Sequence, residues 1–331
     1  MKKATIYDVA SSAGVSTATV SRYLNRTSYI AKEKVDAIES AIFETGFKPK
    51  KRKTSTSKLR TMKIGLLVPS YDSPFVHALI TGIYSVISKS SYELLVEVTM
   101  WKKEIEVKKL DYLLSCNVDA LIVVGGYQTE ENIKKKLNGL PVLLLFREPE
   151  MLLPNINIDN ELGGYLATTH LIQNGHRKIV HVKGIEKNIE SIKRFVGYKR
   201  ALATAGIKFD SDLVIDGDFE LKAAMENTCE LINKGHEFTA IFASNDLSAI
   251  GAVQALAKYN KSVPNDVSVI GYDDLPICDY YLPRLTTIKQ PFEKIGKIAI
   301  KTVLDLISSN YNKYELPPIE VIARDSVKLN D

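Results

Sequence analysis

The spacing of apolar residues along the chain changes once, near residue 60. Before it, apolar side chains recur every three or four residues, which predicts short amphipathic helices over 6–13, 17–24 and 31–44. After it, apolar runs of strand length alternate with segments of helical periodicity. The predicted strands are 63–68, 92–99, 119–124, 141–146, 178–182, 240–244 and 267–272, and the predicted helices are 74–90, 104–115, 130–138, 160–174, 190–205, 220–234 and 246–259.

Strands that are apolar throughout, separated by amphipathic helices, are typical of parallel sheets covered by helices on both faces. Seven strand–helix units are more than one small sheet holds, and the segment 155–161 (NINIDNE) interrupts the pattern. We therefore predict an α/β fold in which an all-α head, residues 1–48, precedes a hinge, residues 49–62. The body, residues 63–331, would contain two Rossmann-like parallel α/β subdomains.

The head has the pattern of a helix-turn-helix. Gly14 follows the first apolar stripe, where a left-handed residue ends a helix without steric cost. Ser16 is a suitable N-cap for the second helix, in which Val20 and Leu24 face inward. Two short helices joined in this way place the second helix in the major groove of DNA, although a purely structural helical bundle can share the pattern.

The distribution of charge also points to a polyanion. Residues 1–63 hold 14 Lys and Arg against 5 Asp and Glu, a balance of +9, whereas the other 268 residues hold 30 against 34, a balance of −4. The densest basic segment is 49–63, PKKRKTSTSKLRTMK. Charge alone fits nucleic acid, anionic lipid or a solvated tail, and the helix-turn-helix pattern favours DNA.

Residues on the outer face of the second predicted helix are the first candidates for DNA contact. Arg22 can reach a base or a phosphate, its alternative being a plain surface charge. Thr17 and Ala18 are small and can meet thymine methyl groups, but they cannot make the bidentate guanine contact of an arginine. The full set of candidate DNA-contacting residues is Thr5, Tyr7, Ser16, Thr17, Ala18, Thr19, Ser21, Arg22, Asn25, Tyr29, Lys50, Lys53, Thr56 and Leu59.

Polar residues at strand ends are the candidates for a ligand site, because ligands of such sheets bind beyond the carboxyl ends of the strands. Three predicted strands run into the clusters 69–75, 244–246 and 273–274. Carboxylates and amides bond hydroxyl groups and aromatic rings stack, so this composition fits a polyol or a planar base. We assign Asn245 and Asp273 to ligand contact in preference to helix capping, and Asp246 to capping.

Residues 5–25, TIYDVASSAGVSTATVSRYLN, closely resemble the helix-turn-helix of the LacI/GalR family of bacterial transcription regulators. SND (244–246), VPNDVSVIGYDD (263–274) and PRLTTIKQPF (283–292) are similar to motifs of that family's body. The resemblance implies a periplasmic-binding-protein-like (type I) body whose chain crosses back. One subdomain would then take about 63–157 and 291–318, and the other about 158–290 and 319–331.

The same resemblance implies roles for particular residues. It assigns effector contact to Asn245, Asp273 and Arg194, the last from RFVGY (194–198), with a helix-surface charge as its alternative. Phe219 would be a stacking ring or a core aromatic, and Gln290 lies at a crossing between the halves. The full set of candidate effector-contacting residues is Tyr71, Asp72, Phe75, Phe146, Arg147, Arg194, Phe219, Asn245, Asp273 and Gln290.

Two positions depart from the family pattern. In the family, a hinge leucine wedges into the minor groove, but spacing from Pro49 puts Thr56 at that place. Either Leu59 takes this role in a shifted register or basic phosphate contacts substitute. Many sugar-binding members have Asp at the end of the strand equivalent to 141–146, where this chain has Phe146 and then Arg147. The change leaves room for an apolar, phosphorylated or aromatic effector that Arg147 could pair with, and Phe146 as core filler is the alternative.

Several classes of function lack support in the sequence. Glycine-rich nucleotide loops, HExxH and GxSxG are absent, and the cysteines Cys116, Cys229 and Cys278 and the five histidines show no metal-ligand spacing. We therefore expect no catalysis, cofactor or metal. No run approaches the ~18 apolar residues of a membrane span, and the N-terminus lacks the apolar core of a secretory signal, so we expect a cytoplasmic protein without membrane contact.

These features together predict a homodimeric, ligand-responsive repressor of transcription. One helix-turn-helix reads too few base pairs, so two-fold symmetry would match a palindromic operator, and no C-terminal leucine heptad of the tetrameric members is present. Release by a small carbohydrate is the leading hypothesis. The alternative is a corepressor that is purine-like or phosphorylated. A solute-binding receptor and a sugar-active enzyme are rivals, disfavoured by the basic head and the lack of a catalytic set.

Overall fold

A computed structural model describes residues 4–25, 30–47, 60–147, 150, 152–310, 312 and 314–330. Most of the predicted hinge therefore lies outside the described residues. In the described part of the chain, no helix combines the length and apolar character needed to cross a bilayer.

The head is formed by α1 (Ile6–Ser12), α2 (Thr17–Asn25) and α3 (Lys32–Thr45), within two residues of the predicted bounds. Gly14 has φ of +63° in the turn before α2, and Gly46 ends α3 with φ of +62°, conformations that cost glycine little. The apolar stripes meet in a small core around Val9, Val20 and Ile38, each fully buried. The helix-turn-helix prediction is confirmed at the level of the fold.

The first lobe is a parallel sheet in the order β2-β1-β3-β4-β5 with helices on both faces. Its apolar strands are buried over most of their length, because helices cover both sides of the sheet. Its elements are β1 (Lys63–Val68), α4 (Pro74–Ile87), β2 (Glu93–Val98), α5 (Lys103–Ser115), β3 (Ala120–Val124), α6 (Glu130–Leu137), β4 (Val142–Leu145) and β5 (Asn155–Ile156).

The second lobe is a sheet in the order β11-β10-β9-β8-β6-β7, in which β11 alone among the described strands runs antiparallel to its neighbour. Residues of the predicted returning segment 319–331 thus join this lobe, but only three of them form a strand. The elements are α7 (Asn160–Gln173), β6 (Ile179–Lys183), α8 (Ile189–Thr204), β7 (Val214–Asp216), α9 (Leu221–Asn233), β8 (Ala240–Ala243), α10 (Asp246–Lys258), β9 (Ser268–Asp273), α11 (Ile277–Tyr280), β10 (Thr286–Lys289) and β11 (Glu320–Ile322).

The chain returns to the first lobe after β10. Helix α12 (Phe292–Ser308) packs along α4, and its buried residues Ile295, Ala299 and Ile300 belong to the same apolar core as β1 and β3. Gly82 and Gly296 permit this close approach, because a Cβ at Gly82 would overlap the backbone of Glu293. Each lobe is therefore built from separate stretches of the chain.

Unusual backbone conformations concentrate at the carboxyl ends of the strands. Phe146 after β4, Asp218 and Phe219 after β7, and Asp273 and Asp274 at the end of β9 all have positive φ. Non-glycine residues rarely adopt this region, and it is found at functional sites more often than elsewhere. The strained positions thus mark the edge of each sheet that faces the space between the lobes.

Candidate functional site

The outer face of α2 is the candidate DNA interface. Val20 points into the core, whereas Ala18 and Arg22 are exposed and Thr17, Thr19 and Ser21 are half-buried. Thr5 and Tyr7 are also exposed. This arrangement leaves the predicted reading face of α2 open, and its role in DNA contact stays a prediction.

Ser16 caps the N-terminus of α2, as the sequence predicts. Its Oγ accepts a hydrogen bond from the backbone N–H of Thr19 at 3.1 Å and lies 2.8 Å from the Thr19 hydroxyl oxygen. Such a cap satisfies an N–H that the helix itself leaves unpaired. The side chain of Asn25, and the candidates Tyr29, Lys50, Lys53, Thr56 and Leu59, lie outside the described residues.

A cavity of about 340 Å³ lies between the two lobes, at the carboxyl ends of their strands. Both lobes contribute to its lining, as expected for ligand sites of this architecture. Eight of the ten predicted effector residues line it: Asp72, Phe75, Phe146, Arg194, Phe219, Asn245, Asp273 and Gln290.

Arg194 is the central cation of the second lobe's wall. It is 3% exposed, which excludes the alternative of a helix-surface charge. Its Nε donates to Asn160 Oδ1 at 2.9 Å, and its Nη1 donates to the carbonyl of Ser244 and lies 3.9 Å from Asp273 Oδ1. The guanidinium also lies 3.8 Å from the centre of the Tyr272 ring, a cation–π distance. These contacts fix its planar donor group at the cavity.

Asp273 presents a carboxyl group to the same cavity. Gln290 Nε2 donates to its Oδ1 at 2.7 Å, and the Gln290 N–H donates to its carbonyl at 3.1 Å. Burial raises the pKa of Asp273 to about 8, against the opposing effect of Arg194. Burial likewise raises the pKa of Glu190, which lines the cavity from the first turn of α8. The site therefore holds carboxyl groups that keep their protons more readily than exposed ones.

Asn245 both caps a helix and lines the cavity. Its Oδ1 accepts from the N–H of Ser248 at 2.9 Å, at the start of α10, and its Nδ2 donates to the carbonyl of Phe219 at 2.9 Å. The prediction that Asp246 caps this helix was wrong. Asp246 is fully buried and accepts from the N–H of Leu275 at 2.8 Å and the hydroxyl of Thr287 at 2.5 Å, because its side chain points back under the sheet edge.

Phe219 packs against the backbone that follows the neighbouring strand β6. It and Asp218 both have positive φ, and a Cβ at Gly184 would overlap the Phe219 ring. The ring centre lies 5.5 Å from the Arg194 guanidinium carbon. Gly184 thus makes room for an aromatic surface at the cavity rather than in the core.

The first lobe supplies an aromatic wall. The ring centres of Phe75, Phe146 and Phe292 lie 5.4–6.2 Å apart, two of the pairs in edge-to-face geometry. Phe146 belongs to the apolar core of this lobe, as its core alternative predicts, and it lines the cavity as well; its contact with an effector stays a prediction. Trp101, which follows β2, extends the same wall.

Three predicted residues of the first lobe differ in their surroundings. Asp72 lines the cavity but is exposed, and a hydrogen bond from the Ser70 hydroxyl lowers its pKa. Tyr71 does not line it; its side chain is 74% exposed and turned to solvent. Arg147 lies outside this cavity, in an adjoining chamber, where its Nη1 is 3.6 Å from Glu106 Oε1. Within the protein, Glu106 thus pairs with Arg147, and contact between Arg147 and an effector stays a prediction.

Twelve of the twenty residues that line this cavity were not in the predicted set, and Trp101 and Glu190 are two of them. Trp101 comes two residues after the predicted strand 92–99, so the rule that found Asp273 could have found it. Glu190 carries no such signal, because it sits on the first turn of a helix after a five-residue loop. Its inward direction depends on how α8 begins at Asn188, whose Oδ1 accepts from the N–H of Ser191 at 3.0 Å.

Comparison with known proteins gives two family matches. Residues 5–50 match the model "Bacterial regulatory proteins, lacI family", and residues 168–327 match "Periplasmic binding protein-like domain". The chain is 34% identical to the HTH-type transcriptional repressor PurR of Photobacterium profundum, over 98% of this chain and 99% of that protein.

Solved structures agree with these matches. A transcriptional regulator CelR–cellobiose complex is similar with a TM-score of 0.71 and 27% identity, covering 98% of this chain and 100% of that one. The lac repressor dimer bound to operator and the anti-inducer ONPF has a TM-score of 0.75 and 26% identity, covering 99% and 100%. The matched helix-turn-helix, the two-lobed body and the full-length relatives lead to one assignment: this chain belongs to the LacI family of bacterial regulatory proteins.

Proposed function

We propose that this chain is a homodimeric transcriptional repressor whose affinity for a palindromic operator is raised by a purine-type corepressor bound between its lobes. The exposed face of α2 reads the operator, and the basic segment 49–63 adds phosphate contacts. The sequence favoured release by a sugar inducer. The proposal adopts instead the alternative given there, a purine-like corepressor.

The observation that carries the effector class is the aromatic lining of the cavity. Three phenylalanine rings and Trp101 come from the first lobe, and Phe219 comes from the second. Flat aromatic surfaces suit a planar ring system, which buries both of its faces against them. On the wall of the second lobe, Arg194 carries donors while Asp273 and Asn245 carry acceptors, a set that matches the mixed donors and acceptors along the edge of a purine.

The relatives support the same class. Proteins named PurR, a name that indicates purine, align with this chain over nearly its full length at 34% identity. A corepressor acts by binding more tightly to the DNA-competent arrangement of the lobes than to the other one. Coupling of this kind typically changes affinity by about 5- to 150-fold.

The test begins with a palindromic duplex selected from random DNA by the full chain. Operator affinity is then measured by fluorescence anisotropy with adenine, guanine, hypoxanthine, ribose or cellobiose present. We expect at least one purine to tighten operator binding fivefold or more and to change the fluorescence of Trp101, the single tryptophan of the chain. A purine that binds and weakens the complex with the operator would show that the effector is an inducer and not a corepressor.

A pair of variants separates the cavity from the rest of the protein. Phe219→Leu removes a ring from the cavity, so we expect the purine affinity to fall at least tenfold with operator affinity unchanged in its absence. Phe209→Leu is the matched control, because Phe209 packs on Phe195 and lies outside the cavity. Equal purine affinity in the two variants would contradict the proposed site.

A sugar effector is the second candidate. It is favoured by the structural similarity to the CelR–cellobiose complex. Binding of ribose or cellobiose in the same experiment, without binding of any purine, would establish this candidate in place of the first.

A further inference from the structure

The effector cavity continues into a second chamber of about 260 Å³. The two spaces share the lining residues Phe75, Trp101, Phe146, Ile185, Asn188 and Glu190, so they are two parts of one cleft. The chamber is also lined by both lobes. A free base placed against the aromatic wall would leave this second space to water.

A buried donor at the chamber lacks a hydrogen-bond acceptor. Arg147 is 8% exposed, and its Nη2 donates to the carbonyl of Gln128. Its Nη1 has no hydrogen-bond acceptor among the described residues and is 3.6 Å from Glu106 Oε1. The oxygens of Glu106 already accept from the N–H groups of Tyr127 and Gln128. Buried donors are normally paired, so an acceptor supplied by a ligand would satisfy this one.

The charges around the chamber select against an anion. Glu130, Glu150 and Glu190 line it together with Arg147 and Lys187, and Glu106 lies directly behind Arg147. Three carboxyl groups and two cations thus line the chamber, and a fourth carboxyl group, that of Glu106, pairs with Arg147 outside the lining. Even with Glu190 neutral, which its burial favours, the balance stays negative. A phosphate would meet repulsion here, whereas a hydroxyl can accept from Arg147 and donate to Glu190.

We propose that the preferred effector is a purine nucleoside, with its base against the aromatic wall and its ribose in the second chamber. This inference rests on the proposed purine effector and extends it. The ribose supplies uncharged groups that both donate and accept, which is what the unpaired Arg147 Nη1 and the carboxyl of Glu190 require. A free base leaves the chamber unfilled, and a nucleotide brings charge of the unfavourable sign.

Isothermal calorimetry on the full chain with matched ligands tests this. The series is base, nucleoside and 5′-monophosphate for both adenine and hypoxanthine at a fixed salt of about 0.15 M. We expect the nucleoside of at least one series to bind tenfold or more tightly than its base, and its monophosphate to bind tenfold or more weakly than the nucleoside.

A variant pair locates the effect in the chamber. Ile189 lines the second chamber and not the first cavity, so Ile189→Trp is expected to weaken nucleoside binding at least tenfold and leave base binding unchanged. Ile192→Trp is the control, because Ile192 is 43% exposed and lines neither space. Thermal unfolding checks that both variants fold, and the ligand series on the unaltered chain stands without them.

The outcomes separate this inference from the proposed function. Base binding as tight as nucleoside binding would overturn the role of the chamber and leave a purine corepressor standing. A monophosphate that binds most tightly would overturn the charge argument and with it the nucleoside. If no member of either series binds, the purine effector itself fails, and this inference with it.

Discussion

Asp273→Asn provides a direct test of the electrostatics of the cleft. Burial raises the pKa of Asp273 to about 8, above the value near 4 of an unfolded chain. The folded protein therefore holds this proton more tightly than the unfolded protein does. The resulting stabilisation is complete below pH 4 and is lost as the pH rises toward 8. Asparagine cannot ionise and still accepts the hydrogen bond from Gln290.

The magnitude follows from the linkage relation. One titrating proton changes the free energy of unfolding by at most about 1.4 kcal/mol per pH unit, so Asp273 contributes a fall of at most about 3 kcal/mol between pH 5 and pH 7. Water that reaches the partly open cleft reduces this figure. We expect the free energy of unfolding of the wild type to fall by about 1 to 3 kcal/mol more than that of Asp273→Asn over this interval.

Urea unfolding followed by circular dichroism at pH 5, 6 and 7 measures the difference. Titrating groups that do not interact with Asp273 are shared by the two proteins and drop out of the comparison, whereas the buried Asp246, whose charge raises the pKa of Asp273, contributes to the measured difference. Asp212→Asn is the control, because Asp212 is exposed and lies outside the cleft. Coincident pH profiles for the wild type and Asp273→Asn would refute the argument that this carboxyl is protonated in the folded cleft.

Three further changes test the head and the packing of the body. Arg22→Ala should weaken binding to the selected duplex tenfold or more in anisotropy titrations, while its circular dichroism spectrum stays unchanged. Arg22→Lys is the control that keeps the charge. Wild-type affinity in both variants would show that Arg22 does not contact the DNA. Ser16→Ala removes the hydrogen bond that caps the Thr19 N–H and should lower the stability of α2 by about 1 kcal/mol. The measurement is amide hydrogen exchange, which should become faster in α2. Unaltered exchange would contradict the cap. Gly82→Ala should destabilise the body by about 1 to 3 kcal/mol in urea, because its Cβ would meet the Glu293 backbone. At an unhindered helix position the same change stabilises by about 1 kcal/mol, so increased stability would contradict this packing.

The long elements of this fold could be predicted from the sequence because each carries its own signal. Strands buried on both faces read as apolar runs, and their helices show one apolar stripe. The strands β5, β7 and β10 were missed. Two of them are only two or three residues long, and β10 is threonine-rich, so its apolar content falls below that of the others.

The site was predictable to the extent that it obeys the geometry of parallel sheets. Asp273 and Asn245 follow strands whose carboxyl ends share one edge, so sequence order places them together. Sequence order does not predict which of Asn245 and Asp246 caps α10, because the direction of each side chain depends on the backbone angles where that helix begins. The pairing of Arg147 with Glu106 was not predictable for a related reason: Glu106 comes from α5, and no local pattern reveals that contact.

The return of α12 to the first lobe has a consequence for synthesis on the ribosome. The core around β1 is completed by Ile295 and Ala299, more than 220 residues downstream of that strand. When only the first five strands have left the ribosome, helix α12 is still missing from the hydrophobic core that they form. Neither lobe can finish folding until nearly the whole polypeptide has left the exit tunnel, so the two must mature together rather than in turn.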